Sequence, residues 1–282
     1  MPEKISTIQR GGSRFYVNSG TCEKVPGVTT VVNMLPKPFL PRWSANMAAE
    51  LAIDSLDYLA EMAQRDREGA IKYVAGAAYR YTKSRANIGS MAHDLFERMI
   101  RGEGRYTERD RSGGFAVRVH PDLEPYRANF AEFLDSVQPE LIRAEDVAWS
   151  DTHKYAGSFD ALLSIMDDDG TPVTVITDWK TSKSTYPDVA LQMSAYGFAD
   201  RLIDADGNSE PMPSIDGAAV LHITPDQWSF KPVRFDAEVF EHFLTLRRTF
   251  DWDRDVYKTV IGKPVASGGS SAIVTGTQRR GK

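Results

Sequence analysis

The strongest constraint on how this chain can fold is an apolar strand that stops on two charges. In GSFDALLSIMDDDGTPVTVITDWKTSKS (157–184), two β-rich stretches flank the turn DDDG, and the second ends on Asp178 and Lys180. Side chains alternate along a strand, so Asp178 and Lys180, two residues apart, share a face. Asp160 can reach that face from the neighbouring strand across the turn. Charges in such a place are costly to bury unless paired or bound to a cation.

Two carboxylates and an ammonium at a sheet edge suit phosphodiester hydrolysis. Carboxylate oxygens are hard ligands for Mg²⁺ or Mn²⁺, which polarises a phosphate and acidifies a water, while Lys180 can orient that water or neutralise developing charge. The same triplet also admits a structural reading, in which Asp160 or Asp178 is a turn or surface acid and Lys180 its exposed ion-pair partner.

The rest of the chain sets this run in a mixed architecture. RFYVNSGTCEKVPGVTTVV (14–32) reads as a short hairpin, and LPKPFLP (35–41), with three prolines, as a rigid connector. From Arg42 to about Tyr81 helix formers dominate, with apolar repeats at Leu51, Leu56, Leu59 and Met62 and a second stretch from Ala70. A further helix is expected over 84–101, with the stripe Ile88, Ala92, Leu95, Phe96, Met99, ended by Gly102 and Gly104. After an exposed loop (105–114) comes a helix over 123–136. A β-meander follows, made of VAWS, YAGSFDALLSI and VTVITDWK, and then a helix over 188–203. The strands GAAVLHIT and FKPVRF and a last helix over 237–250 complete the pattern. The fold class is therefore α/β (α+β), with a helical lobe on the N-terminal side. The expected division is a hairpin and helical lobe (1–83), a core (84–262), and a tail (263–282) rich in Gly and Ser that should be disordered.

Two helices carry further polar pairs. His93 sits beside its helix's apolar stripe, with Gly89 one turn earlier and Glu97 one turn later. Gly89 admits close approach of another backbone, and the His/Glu pair can serve a metal; otherwise His93 is a half-exposed core histidine. Gln192 and Tyr196, one turn apart after the charged strand, can hydrogen-bond a phosphate or stack on sugar and base, or else pack on the sheet.

A local basic patch, Lys72, Arg80, Lys83 and Arg85 interleaved with Tyr73, Tyr79 and Tyr81, suits a single DNA strand or a duplex end, or is simply a solvated helix face. Such a patch is needed because the formal charge is -5 overall, which does not advertise a nucleic-acid binder. A single cysteine, Cys22, rules out an intrachain disulfide and any four-cysteine iron–sulfur cluster. No apolar run approaches the length of a membrane span, so a soluble, cytoplasmic protein is expected.

In order, IGSMAHDLFE, YAGSFD, VITDWKTS and QMSAY resemble the motif series of PD-(D/E)xK nucleases, in the RecB-like and CRISPR-adaptation exonuclease branch as encoded by bacteriophages. The likeness covers about residues 84 to 200. It implies a restriction-endonuclease-like core, a mixed β-sheet flanked by helices, with a metal held by His93, Asp160, Asp178 and the backbone carbonyl of Trp179. Lys180 would assist the attacking water, and Gln192 and Tyr196 would complete the site near the phosphate. Glu145 matches a position where related enzymes sometimes carry an acid. VPGVTTVV and Trp43 also look like the opening of phage-encoded members. The chain departs from many CRISPR-adaptation exonucleases in lacking the cysteines for their cluster.

The function so implied is a Mg²⁺- or Mn²⁺-dependent DNA exonuclease acting at linear ends, single- or double-stranded. Its setting would be phage recombination, replication or repair, with an annealing protein or helicase as possible partner. The alternatives are a structure-specific endonuclease and a non-catalytic DNA-binding recombination scaffold.

Overall fold

A computed structural model describes residues 4–103 and 105–269. The chain opens with β1 (Ile5–Arg10) and β2 (Ser13–Asn18), antiparallel with Ile5 opposite Asn18, and β3 (Lys24–Pro26) adds to β2. Helices α1 (Val28–Val32), α2 (Phe39–Asp54), α3 (Leu56–Arg65), α4 (Arg67–Ala75) and α5 (Ala77–Ile100) follow. Then come α6 (Glu124–Val137), β4 (Glu140–Ala144), β5 (Val147–Ser150), β6 (Tyr155–Ser158), β7 (Ala161–Met166) and β8 (Pro172–Lys180). The order closes with α7 (Val189–Gly197), β9 (Arg201–Ile203), β10 (Ser209–Pro211), β11 (Gly217–Ile223), β12 (Trp228–Val233) and α8 (Ala237–Arg254). The fold is α+β: among the described residues there are three sheets, one of them mixed, with helices around them.

The five-stranded sheet, in the order β12-β11-β8-β7-β4, carries the charged strand at its centre. β8 pairs antiparallel with β7 and parallel with β11, and is buried continuously from Val175 to Trp179. A strand covered on both faces has no solvent side, so VTVITDW lacks a clean polar alternation. On one face Leu162, Ile176 and Val220 pack with Met193 and Tyr196 of α7 and Phe243 of α8. On the other, Ala161, Leu163, Trp179 and Leu221 pack with α5 and α6 through Phe96, Phe130 and Phe133. Phe96 and Phe130 stack at 4.5 Å between centroids, and the Trp179 ring meets Phe130 edge-on at 5.4 Å. Burying rings of this size supplies much of the apolar driving force for the helix–sheet layer.

Side-chain caps mark where two of the α-helices begin. The side chain of Asp66 accepts from Gly69 N ahead of α4, and that of Asp236 accepts from Val239 N ahead of α8. α2 and α3 contain no buried residue. α5 carries the chain from this exposed helical lobe into the core without a break at residue 83.

Several sequence expectations change. The N-terminal hairpin is β1–β2, beginning at Ile5, and 28–32 is helical rather than extended. YAGSFDALLSI is two strands in two sheets, not one: β6 pairs with β5 in the four-stranded sheet β10-β9-β5-β6, while β7 pairs with β8 and β4. The chain changes sheet at Phe159–Asp160, which leaves Asp160 at the crossing between the two sheets. The helix expected over 188–203 ends at Gly197, because Leu202 and Ile203 are buried by pairing with β5. Of the tail expected to be disordered, 270–282 lies outside the described residues.

Candidate functional site

The register places the acids. Ala161 faces Thr177 across the β7–β8 ladder, and one further step sets Asp160 opposite Asp178. Directly opposed residues of an antiparallel pair present their side chains on the same face. Asp160 is then pinned from two sides: Trp179 N donates to its Oδ2 at 2.5 Å, and His93 Nδ1 of α5 lies 3.2 Å from its Oδ1. His93 Nε2 makes no hydrogen bond among the described residues.

Gln192 of α7 ties the other members together. Its Nε2 donates to Asp178 Oδ1 and to the Tyr196 hydroxyl, each at 3.0 Å, and its Oε1 accepts from Lys180 Nζ at 3.4 Å. One amide thus touches an acid, the ammonium and the buried tyrosine. The spacing of four between Gln192 and Tyr196 puts both on one side of α7, as the sequence implied. Lys180 Nζ also forms an ion pair with Asp178 Oδ2, an atom that is buried and has no hydrogen bond of good geometry.

These residues line one open cavity of about 530 Å³, together with Arg14 and Tyr16 of β2, Thr29 of α1, and Gly89, Ser90, Asp94 and Glu97 of α5. Glu145, between β4 and β5, also lines it and holds a left-handed backbone at φ 60°. For a side chain with a Cβ that conformation costs free energy and must be held by its surroundings. Gly89 has a steric role: a Cβ there would lie 3.2 Å from Thr181 Oγ1, so its absence lets α5 approach the segment following β8.

The electrostatics follow from crowding acids in a buried place. Burial, then the neighbouring Asp160, pushes the Asp178 carboxyl up to about 6, with Lys180 opposing. Burial, with Asp160 and Glu97, pushes Glu145 up to about 7. Burial works against a charged His93, but the hydrogen bond and charge of Asp160 outweigh it and the imidazole pKa is raised. The Tyr196 hydroxyl is pushed well above its ordinary value by burial, then by Asp178, so it stays protonated.

The donor chemistry fits a hard divalent cation. His93 offers an imidazole nitrogen, Asp160 and Asp178 offer carboxylate oxygens, and Asp178 Oδ2 is a buried acceptor whose charge is offset by an ammonium alone. Among the described residues no three His, Cys, Asp or Glu side chains are already gathered around one point as a bound ion would hold them. Lys180 holds that part of the site, and its side chain must shift for a cation to reach Asp178 Oδ2.

The structure brings together His93, Asp160, Asp178, Lys180, Gln192 and Tyr196. It does not bring the basic patch to them. Lys72, Arg80, Lys83 and Arg85 lie outside the cavity lining; Arg80 donates to Tyr73 O at 2.7 Å and sits over the Tyr73 ring at 4.5 Å, and Arg85 sits over Tyr81 at 5.7 Å. Sequence reasoning missed Arg14, Tyr16 and Thr29, which the N-terminal hairpin and α1 deliver from a distant part of the chain. No spacing in the sequence links them to the acids.

No protein-family model and no curated protein matches the chain. A solved structure to which it is similar is that of SSO0001, with a TM-score of 0.25 and 14% identity, covering 46% of this chain and 64% of that one.

Proposed function

We propose that this chain is a divalent-metal-dependent DNA exonuclease of the PD-(D/E)xK type, with a restriction-endonuclease-like core. The observation that carries the reading is the convergence of Asp160, Asp178, Lys180, Gln192, Tyr196 and His93 on one cavity, with Asp178, Lys180 and Tyr196 tied through the single amide of Gln192.

A cation held by His93, Asp160, Asp178 and the Trp179 carbonyl would neutralise phosphate charge and make a water easier to deprotonate. The side chains do the rest. Trp179 N and His93 fix the Asp160 carboxylate, so that both its oxygens have set directions. Gln192 holds Asp178 and limits where Lys180 can go. The Lys180 ammonium steers the attacking water or offsets charge on the phosphoryl oxygens. Water adds across one P–O bond: its oxygen bonds to phosphorus, the bond to the leaving strand breaks, and the leaving oxygen takes up a proton. Tyr196, protonated and buried, is a fixed wall that positions Gln192 rather than an acid or base.

The test is degradation of end-labelled linear and covalently closed DNA with Mg²⁺, Mn²⁺ or EDTA, comparing wild type with Asp178→Ala and Lys180→Ala. Metal-dependent loss of the linear substrate only, abolished by either substitution, is the expected result. Cleavage of closed circles makes the enzyme an endonuclease. DNA binding with no cleavage under any metal makes the chain a scaffold and ends the catalytic reading.

A further inference from the structure

A second cavity, of about 230 Å³, adjoins the first across a shared wall formed by Thr29, Lys180 and Gln192. Its far side is built by Asn33 at the end of α1, Lys37, and Ser182 and Tyr186 of the segment between β8 and α7. Nothing in the mechanism above uses these four residues.

Their chemistry is that of a nucleotide site. Tyr186 is 54% exposed and its ring has no aromatic partner among the described residues, which leaves the ring available for stacking. Asn33 Oδ1 accepts weakly from Lys37 Nζ at 3.5 Å, which leaves the Asn33 amide N–H groups free to donate. The one acid lining this cavity, Asp188, is matched by Lys37 at 3.3 Å, so an incoming phosphate meets no unpaired negative charge. The cavity is less than half the size of its neighbour, with room for one residue of a strand rather than a run of them.

We infer that this second cavity binds a single nucleoside monophosphate unit, its phosphate at the Lys180–Gln192 wall and its base against Tyr186. The inference rests on the nuclease reading for its role: the scissile bond would lie over the shared wall, the body of the strand in the larger cavity, and the terminal nucleotide in the smaller one. On that reading, a subsite of that size would release ends one unit at a time. Stacking of a base on an aromatic ring is the sequence-tolerant way to hold such an end, because every base has a π-face.

The experiment is binding of 2-aminopurine deoxynucleoside 5′-monophosphate, read by quenching of its fluorescence, with EDTA present so that no chemistry occurs. Inorganic phosphate serves as competitor. Wild type is compared with Tyr186→Ala, which removes the stacking face, and with Asn33→Trp, which fills the cavity from its exposed rim. The expected result is saturable quenching by wild type, weakened about tenfold or more in Tyr186→Ala and abolished in Asn33→Trp. Melting curves show whether both variants are folded. Absence of quenching with wild type, or equal binding by folded variants, overturns the proposal.

The outcome separates from that of the nuclease reading. A protein that degrades linear DNA but binds no monophosphate keeps the nuclease reading and loses this subsite. One that binds the monophosphate and cuts no DNA keeps the subsite and loses the nuclease.

Discussion

A Cβ placed on Gly157 would stand 2.6 Å from Cε1 of Tyr196 and 3.0 Å from Cγ2 of Val28. The tyrosine ring is buried and holds Gln192, so the small residue of YAGSFD is there to let the ring sit where it does. Gly157→Ala forces a buried ring to move, and overpacking of this kind costs about 1–3 kcal/mol. The expected outcome is a modest drop in melting temperature with a disproportionate loss of DNA cleavage, because Gln192 loses its anchor. Full cleavage by a destabilised Gly157→Ala protein would show that the Tyr196–Gln192–Asp178 chain is dispensable.

Metal binding should compete with protons. Asp178 is pushed up to about 6 and Glu145 to about 7, so both bind protons at a pH where ordinary carboxylates do not. A cation needs the Asp178 carboxylate charged, so affinity falls as pH drops through about 6, by up to about tenfold per pH unit for each proton displaced. Calorimetry with Mn²⁺ in two buffers of different ionisation heat counts the protons released. A dissociation constant that stays flat from pH 8 to 5.5 removes Asp178 from the ligand set.

How much of this was legible in the sequence depended on distance along the chain. Asp178 and Lys180 share a face because a strand has period two. Gln192 and Tyr196 share one because a helix advances a turn in about four residues. Both relations are local and both appear in the cavity. Asp160 was found for a less secure reason: it was read inside one long strand, whereas it lies where the chain leaves β6 for β7 in another sheet. That switch depends on which strands β6 and β7 pair with, and periodicity does not encode pairing. β9 was hidden in the same way: RLI follows a helix-forming run and becomes a strand only because β5 lies beside it. Arg14 and Thr29 are more than a hundred residues from the acids they face, and only the docking of the hairpin puts them there.

Asp146 offers a stability test at a side chain outside the cavity lining. It is 8% exposed, and burial pushes its carboxyl up from 3.8 to about 6 despite Arg143 at 3.6 Å. A carboxyl whose folded pKa lies above its unfolded one favours folding while protonated. That contribution is complete below about pH 4 and is lost as pH rises through about 6. Asp146→Asn, uncharged throughout, should therefore be the more stable protein at pH 8, by on the order of 2 kcal/mol, and the difference should close towards pH 4. Urea unfolding at pH 8, 6 and 4 checks it; a variant less stable than wild type at pH 8 would mean that the Arg143 pairing outweighs the burial penalty.

Arg14 lines a cleft whose lining also includes Asp94, Glu97, Glu145, Asp160 and Asp178, and on the proposed reading it is the side chain that would admit a polyanion. Asp94 and Glu97 are matched by Arg98 of α5 and Arg101 at its end, and Lys180 is paired with Asp178. The backbone of Arg14 is engaged, its N donating to Thr30 Oγ1 and its O accepting from Gly27 N, yet its guanidinium has no hydrogen-bond or ion-pair partner among the described residues. On the nuclease reading, a free cation at the cavity that holds the acids would meet a phosphate of the bound strand. Because the backbone bonds survive truncation of the side chain, Arg14→Ala should fold normally and bind DNA more weakly. Each phosphate contact contributes about 0.7 to the slope of log affinity against log salt for a single strand. Fluorescence anisotropy of a labelled oligonucleotide in Ca²⁺, across a salt series, should show the slope falling by about that amount in Arg14→Ala and kept in Arg14→Lys. An unchanged slope with unchanged affinity would place the strand's path elsewhere and return attention to Lys72, Lys83 and the helical lobe.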